Sequence, residues 1–282
     1  MGVRIMTDSA SDMTLEELAA NRVTLIPMTL ACGDDTIIDD KTIPAETLWI
    51  RMEAGEVIRT SQPAPGTFEE AFGEAVAAGD EVVCLLLSSA LSGTCQTAIL
   101  GKSLVEGSIE IVDCTCAAAS VAEKLVVLEA CRLRDLGYSA REIAVRVTSF
   151  RSRVCLIACL NTLEYLARGG RISKAVANLG GLARIKPIIT FSERGEVKLM
   201  AKAIGSRHAM KAMVAEAQKQ PLDPRVTPVP IFSRVDTNCR AYVAALAEAG
   251  MTEVAEPQGI GATIGTYIGP EAYGLVYVVA ES

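Results

Sequence analysis

The sequence predicts an α/β protein of two domains: a parallel-sheet N-terminal domain covered by helices over residues 1–153, and a mixed-sheet α/β C-terminal domain over residues 154–282. Three observations predict it. Short, fully apolar runs such as Val82-Val83-Cys84-Leu85-Leu86-Leu87 alternate with helix-like stretches, the pattern of a parallel sheet buried on both faces. These runs end in small polar residues, where such sheets place their ligands. Beyond about residue 150 the pattern changes to two extended runs joined through Arg194-Gly195, which reads as an antiparallel hairpin.

Taken in order, Val3 to Met6 reads as a first buried strand, stopped by Asp8-Ser9-Ala10-Ser11-Asp12. Thr14 caps a helix to about Asn21, with Glu17 completing a capping box. Val23 to Leu30 reads as one second strand and Thr36 to Asp39 as a short excursion. A helix over Ala45 to Ala54 leads to Thr60-Ser61-Gln62-Pro63, which proline keeps extended. Thr67 opens a helix to Ala78. The strands Val82 to Leu87 and Ile109 to Val112 then alternate with helices at Gly93 to Leu104 and Ala117 to Leu136. A helix at Ser139 to Arg151 closes the first domain. The second comprises a strand at Val154 to Ala158, a short helix at Thr162 to Ala167 and a break at Gly169-Gly170-Arg171-Ile172. The hairpin Pro187 to Ser192 and Glu196 to Ala201 follows. Helices at Ser206 to Gln220 and Asn238 to Ala249, with strands at Val229 to Phe232 and Gly274 to Val279, complete it.

Composition narrows the function. Half of the residues are hydrophobic but only 4% aromatic, so the core is built from Ala, Val, Leu and Ile. A net charge of -7 and no local run of Lys and Arg argue against a nucleic-acid partner. Mean hydropathy is high at +0.31, yet no apolar stretch approaches the ~20 residues of a transmembrane helix. That leaves only a transient contact with a membrane surface. Nine cysteines without paired spacing or a secretory leader are expected to be reduced, buried thiols in a cytoplasmic protein.

The chemistry-bearing residues favour binding over catalysis. Ser88 to Thr94 place small hydroxyls and a glycine between a buried strand and a helix, where an anion such as a carboxylate or phosphate would be stabilised. Hydroxyls at Thr60 and Ser92 can donate to such an anion; equally, hydroxyls in these places cap helices locally. A serine nucleophile would need a histidine, and the only one, His208, lies in a charged helical stretch and reads as a solvated surface residue. No G-x-S-x-G elbow surrounds Ser92. No cofactor is indicated: metal-ligand spacing is absent, and Gly259 to Gly265 lacks the spacing and lysine of a nucleotide loop. That glycine pattern signals close backbone approach. An enzyme using Asp8 and Asp113 at the strand ends is the alternative from another class, and a structural or regulatory interaction protein a third.

At these residues the chain resembles the DegV family, whose characterised members are fatty-acid-binding subunits of bacterial fatty acid kinase. Asp8-Ser9-Ala10-Ser11-Asp12 is similar to D-S-x-x-D, Thr60 to Pro63 to T-S-Q-P, and Ser88 to Gln96 to S-S-x-L-S-G-T-x-Q. Leu163 to Ile172 resembles L-x-x-L-x-x-G-G-R-I, Ile185 to Ile188 I-K-P-I, and Ile260 to Pro270 I-G-x-x-x-G-T-H-x-G-P. The resemblance implies one long-chain fatty acid in a tunnel, its carboxylate near the domain junction on Thr60 and Ser92. It implies further head-group or junction contacts from Gly93, Thr94, Arg171 and Tyr267. It also implies a non-enzymatic subunit that presents the acid to a separate ATP-dependent kinase and carries acyl-phosphate toward phospholipid synthesis. The chain departs from the pattern at Tyr267, which stands where the family has histidine; a phenol brings no positive charge at neutral pH. A basic position after the hairpin falls at Ile204, with Arg207 nearby. Both departures bear more on the coupling to a kinase than on lipid binding.

Overall fold

The computed structural model describes residues 2–173, 176 and 185–281. Four parallel strands form the first sheet, in the order β2-β1-β6-β7: β1 (Val3–Asp8), β2 (Val23–Ile26), β6 (Glu81–Leu86) and β7 (Ile109–Asp113). The central strands β1 and β6 are largely buried, and the edge strands β2 and β7 only in part. The helices α1 (Leu15–Ala20), α3 (Pro65–Ala77), α4 (Thr94–Lys102), α5 (Val121–Asp135) and α6 (Ala140–Arg151) connect and cover them. Thr14 makes the expected capping box with Glu17, and Ser139 makes a second one with Glu142. Helix α3 starts two residues before Thr67, because Pro65 suits the first helical turn, where its missing N–H costs nothing.

The run Val23 to Leu30 is not one strand. Pro27 cannot donate to a ladder, and the chain changes sheets there. Residues β2 stay beside β1, while β3 (Met28–Cys32) joins β4 (Asp35–Asp39) and β5 (Ile58–Ser61) in a separate antiparallel sheet of order β4-β3-β5. The expected excursion at Thr36 to Asp39 is β4, and the extended segment at Thr60 is the end of β5. Helix α2 (Ala45–Glu53) packs its buried Leu48 and Trp49 inward beside this sheet.

The third sheet has six strands in the order β10-β9-β8-β13-β11-β12. It contains β8 (Val154–Cys159), β9 (Ile185–Phe191), β10 (Val197–Ile204), β11 (Val229–Phe232), β12 (Gln258–Gly259) and β13 (Tyr273–Val278). It is mixed: β11 and β12 run parallel and the other pairs antiparallel. The expected hairpin is β9-β10, and its Gly195 adopts φ +81 with its Cα against Ser88 and Thr115 of the first sheet's rim, so no side chain fits there. Helices α7 (Glu164–Arg168), α8 (Ser206–Ala217), α9 (Thr237–Glu248) and α10 (Ala262–Ile268) complete the described chain. His208 is exposed. One hydrophobic cluster runs from Ile5 and Leu85 of the first sheet to Leu156, Ile189 and Val276 of the third. Among the described residues no helix is long and apolar enough to cross a membrane.

Candidate functional site

A narrow cavity of about 70 Å³ lies where the three sheets meet. The loop after β6 contributes Leu87, Leu91 and Ser92, and the loop before α5 contributes Ala119 and Ser120. From the third sheet come Leu156, Ala158, Ile189, Phe191, Val197 and Ile231. Met28 of β3, Thr60 of β5, and Thr263, Ile264, Tyr267 and Ile268 of α10 close the remaining side. The wall is therefore aliphatic, and its polar groups are few: Thr60, Ser92, Ser120, Thr263, Tyr267 and Arg171.

Thr60, Ser92, Arg171 and Tyr267, drawn from four distant parts of the chain, all line this cavity. The Thr60 hydroxyl lies 2.5 Å from the Tyr267 phenol oxygen. Arg171 lies over the Tyr267 ring, 4.7 Å from its centre. Its Nε and one terminal nitrogen donate to the carbonyls of Leu91 (3.1 Å) and Gly169 (2.6 Å). Two neutral acceptors fix the guanidinium without neutralising it. Gly169 is required beside it, because a Cβ there would meet the Tyr267 ring.

Gly93 and Thr94 stand behind Ser92 and do not line the cavity. The Thr94 hydroxyl, fully buried, lies 2.9 Å from that of Ser92 and orients it. Gly93 packs against the amide of Gln62, so the segment carrying Thr60 and the segment carrying Ser92 interlock through a residue without a side chain. The Ser92 backbone N–H already donates to Ser88 O, so the turn offers its side-chain hydroxyl to the cavity.

Asp8 and Asp113, at the strand ends, each accept hydrogen bonds from backbone N–H groups of neighbouring loops. Asp8 is fully buried, and its two oxygens accept from the N–H groups of Ala10 (2.7 Å) and Leu87 (3.0 Å). Asp113 accepts from Ser89 N–H. Their carboxylates fasten the loops that shape the cavity. Burial pushes Asp8 up to about 6. Asp12 does the same work for α10: its carboxylate accepts from Ser120 Oγ (2.6 Å) and Gly261 N–H (3.1 Å), and burial pushes it too up to about 6. Asp39 accepts from Thr263 Oγ1 at 2.5 Å and from Lys41 Nζ at 3.2 Å. The glycine pattern at Gly259 to Gly265 serves this anchoring, since Gly261 abuts Asp12 and Gly265 abuts Trp49.

Sequence reasoning passed over Ser120, Thr263 and the helical form of α10, although it singled out Tyr267 within it. Ser120 follows three alanines and opens a helix, which was the available signal; its role depends on Asp12, 108 residues away. All nine cysteines are free thiols, and burial raises Cys84, Cys95 and Cys114, as expected of packed thiols without nucleophilic character.

Known proteins share both the sequence pattern and the fold. A DegV domain-containing protein of Lactococcus lactis is 33% identical over 227 residues, 78% of each chain. A DegV family protein from Thermus thermophilus, described for its fatty acid binding, superposes with a TM-score of 0.86 at 28% identity, covering 99% of this chain and all of its own. A DegV lipid-binding protein from Thermotoga maritima superposes with a TM-score of 0.83 at 25% identity, covering 100% of this chain and 99% of its own. The DegV family model, described as "Uncharacterised protein, DegV family", matches residues 2–280, and with the interlocked Thr60 and Ser92 segments in place the chain belongs to the DegV family.

Proposed function

We propose that this protein binds one long-chain fatty acid, its chain in the aliphatic cavity and its carboxylate at Thr60 and Ser92, with Tyr267 and Arg171 beside the head group. The observation that carries the reading is the placement of a few hydroxyls and the Arg171 guanidinium, which makes no ion pair among the described residues, at the edge of an otherwise apolar cavity. The Thermus thermophilus and Thermotoga maritima relatives, described as fatty acid and lipid binders, support it. Burial supplies the driving force. At about 0.8 kcal/mol per methylene, a chain of roughly sixteen carbons contributes on the order of 12 kcal/mol before ordering costs. The hydroxyls then need only offset desolvation of the carboxylate and fix its direction.

In the same reading, residues 1–153 and 154–282 are two domains with the ligand at their junction, and the protein acts in the cytoplasm. It presents the carboxylate to a separate ATP-dependent kinase and carries acyl-phosphate toward phospholipid synthesis, without catalysis of its own. The contact between Thr60 and Tyr267 favours a second reading, a lipid binder or sensor without phosphotransfer, because a neutral phenol occupies the place of the family's histidine. Titrating delipidated protein with hexadecanoate tests the site. Replacing Thr60 and Ser92 together by Ala should weaken binding about tenfold or more; unchanged affinity would move the carboxylate elsewhere. Transfer of the ATP γ-phosphoryl group to the carboxylate of the bound acid by a fatty acid kinase, with ADP released, decides between the two readings. The presenting role requires the wild type to support transfer, whereas transfer only after Tyr267→His establishes the sensor.

A further inference from the structure

Helices α3 and α4 lie side by side, held close by glycines. A Cβ on Gly101 of α4 would meet Phe68 and the backbone of Pro65 and Glu69, and one on Gly107 would meet Val76. The shallow groove between α3 and the end of α4 has an uncovered apolar strip. Ile99 and Leu100 of α4 and Leu104 just beyond it are each more than half exposed, and Leu104 and Val105 line the groove. Glu69, Glu70 and Glu74 of α3, with Glu106, form its rim. All four are exposed, and among the described residues none of them makes an ion pair. Lys102 is the sole basic residue from Pro65 to Glu106, so the rim has little positive charge of its own to answer it. Gly66 and Gly73, seven positions apart on α3, also line the groove, and a Cβ at either meets nothing. Glycine inside a helix is destabilising relative to alanine, and no contact within the chain requires it at Gly73.

An apolar strip between carboxylates selects its cover by charge. A second copy of the chain would bring the same four glutamates together across a two-fold interface, and an anionic lipid surface would be repelled likewise. A helix whose apolar stripe is flanked by lysine or arginine meets both demands. Its aliphatic residues cover Leu100 and Leu104, and its cations reach the rim. A groove between two adjacent helices accepts a third by ridge-and-groove packing, and the bare backbone at Gly66 and Gly73 lets it approach closely. We propose that the α3–α4 face is a docking surface for a cationic amphipathic helix of a partner protein. Leu104 lies roughly 15 Å along α4 from the Ser92 turn, so the partner and a ligand in the aliphatic cavity occupy different sites. The proposal stands apart from the fatty-acid reading.

The test titrates the full chain into a fluorescent helical peptide with leucines at i, i+3, i+4 and i+7 and lysines beside them, followed by anisotropy. A second peptide carries glutamate in place of each lysine. The lysine peptide should bind, less tightly as salt is added, and the glutamate peptide should not. Leu100→Asn with Leu104→Asn, both at exposed positions, should weaken binding about tenfold or more, and Glu70→Lys with Glu74→Lys as much. Gly73→Gln, whose Cβ meets nothing in this chain, should weaken it similarly with an unfolding midpoint unchanged or raised. Glu248→Lys with Glu253→Lys, exposed and outside the groove, makes the same change in net charge and should leave affinity within about twofold. An equal loss in that control, full affinity in the leucine variant, binding of the glutamate peptide, or a wild type that binds neither peptide would overturn the docking surface. Sedimentation of the chain alone tests for a second copy: a dimer lost in the leucine variant would overturn the cationic partner and assign the face to self-association.

Discussion

Ser120 sits at φ 61, ψ -152, a backbone region that side chains rarely enter and that costs on the order of 1–3 kcal/mol. Three contacts hold it there: its N–H donates to Ala10 O, its hydroxyl donates to Asp12, and its carbonyl accepts from Lys124 N–H. Asp12 in turn holds the entry to α10 through Gly261 N–H. Burial raises Asp12 from 3.8 to about 6, so between these values the folded protein binds more protons than the unfolded chain. Its contribution to stability therefore falls as pH rises from about 4 to about 6, and is constant above that. Asp12→Asn keeps the shape and removes the titration. The stability difference between wild type and Asp12→Asn should shift by on the order of 2–3 kcal/mol in the variant's favour between pH 4 and pH 6. Denaturant unfolding across that range measures it; a constant difference would show that Asp12 does not titrate there. Neither the strain nor the carboxylate's burial was legible in the sequence, because both depend on partners more than a hundred residues away.

Among the elements, α10 decides the site's shape, since it brings Thr263, Ile264, Tyr267 and Ile268 to the cavity. The sequence showed its glycines and Tyr267 but not a helix. With seven residues, no side-chain cap and three glycines within or beside it, it carries none of the usual helix signals. Packing rather than propensity forms it: Gly265 lies against the fully buried Trp49 ring of α2. Alanine favours an exposed helix over glycine by about 1 kcal/mol, but a Cβ here collides with a ring that has nowhere to move. Gly265→Ala should therefore lower stability by about 1–2 kcal/mol net and weaken fatty-acid binding through displacement of Tyr267. Unfolding midpoints and a hexadecanoate titration read the two effects, and a stabilised variant would show that Trp49 yields. Elements whose signals are local fared better. The apolar parallel strands and the Thr14 capping box stand where the sequence placed them, with ends moved by a few residues. The second strand failed at Pro27, because sheet membership is a long-range property that an apolar run does not encode.

For the whole molecule, the three sheets matter because their meeting point is empty of side chains yet lined by them. Motifs scattered from Thr60 to Tyr267 were legible as sequence and not as geometry; the fold brings them to one cavity wall. A fold that encloses an aliphatic cavity should be occupied whenever long acyl chains are available, as empty apolar space forfeits dispersion contacts on every wall. Mass spectrometry of the organic extract from denatured, freshly purified protein is the most direct measurement. It should give close to one long-chain fatty acid per protein chain, lost in the Thr60→Ala, Ser92→Ala double variant; an extract without fatty acid, from folded protein expressed in a bacterial host, would contradict lipid binding in this cavity.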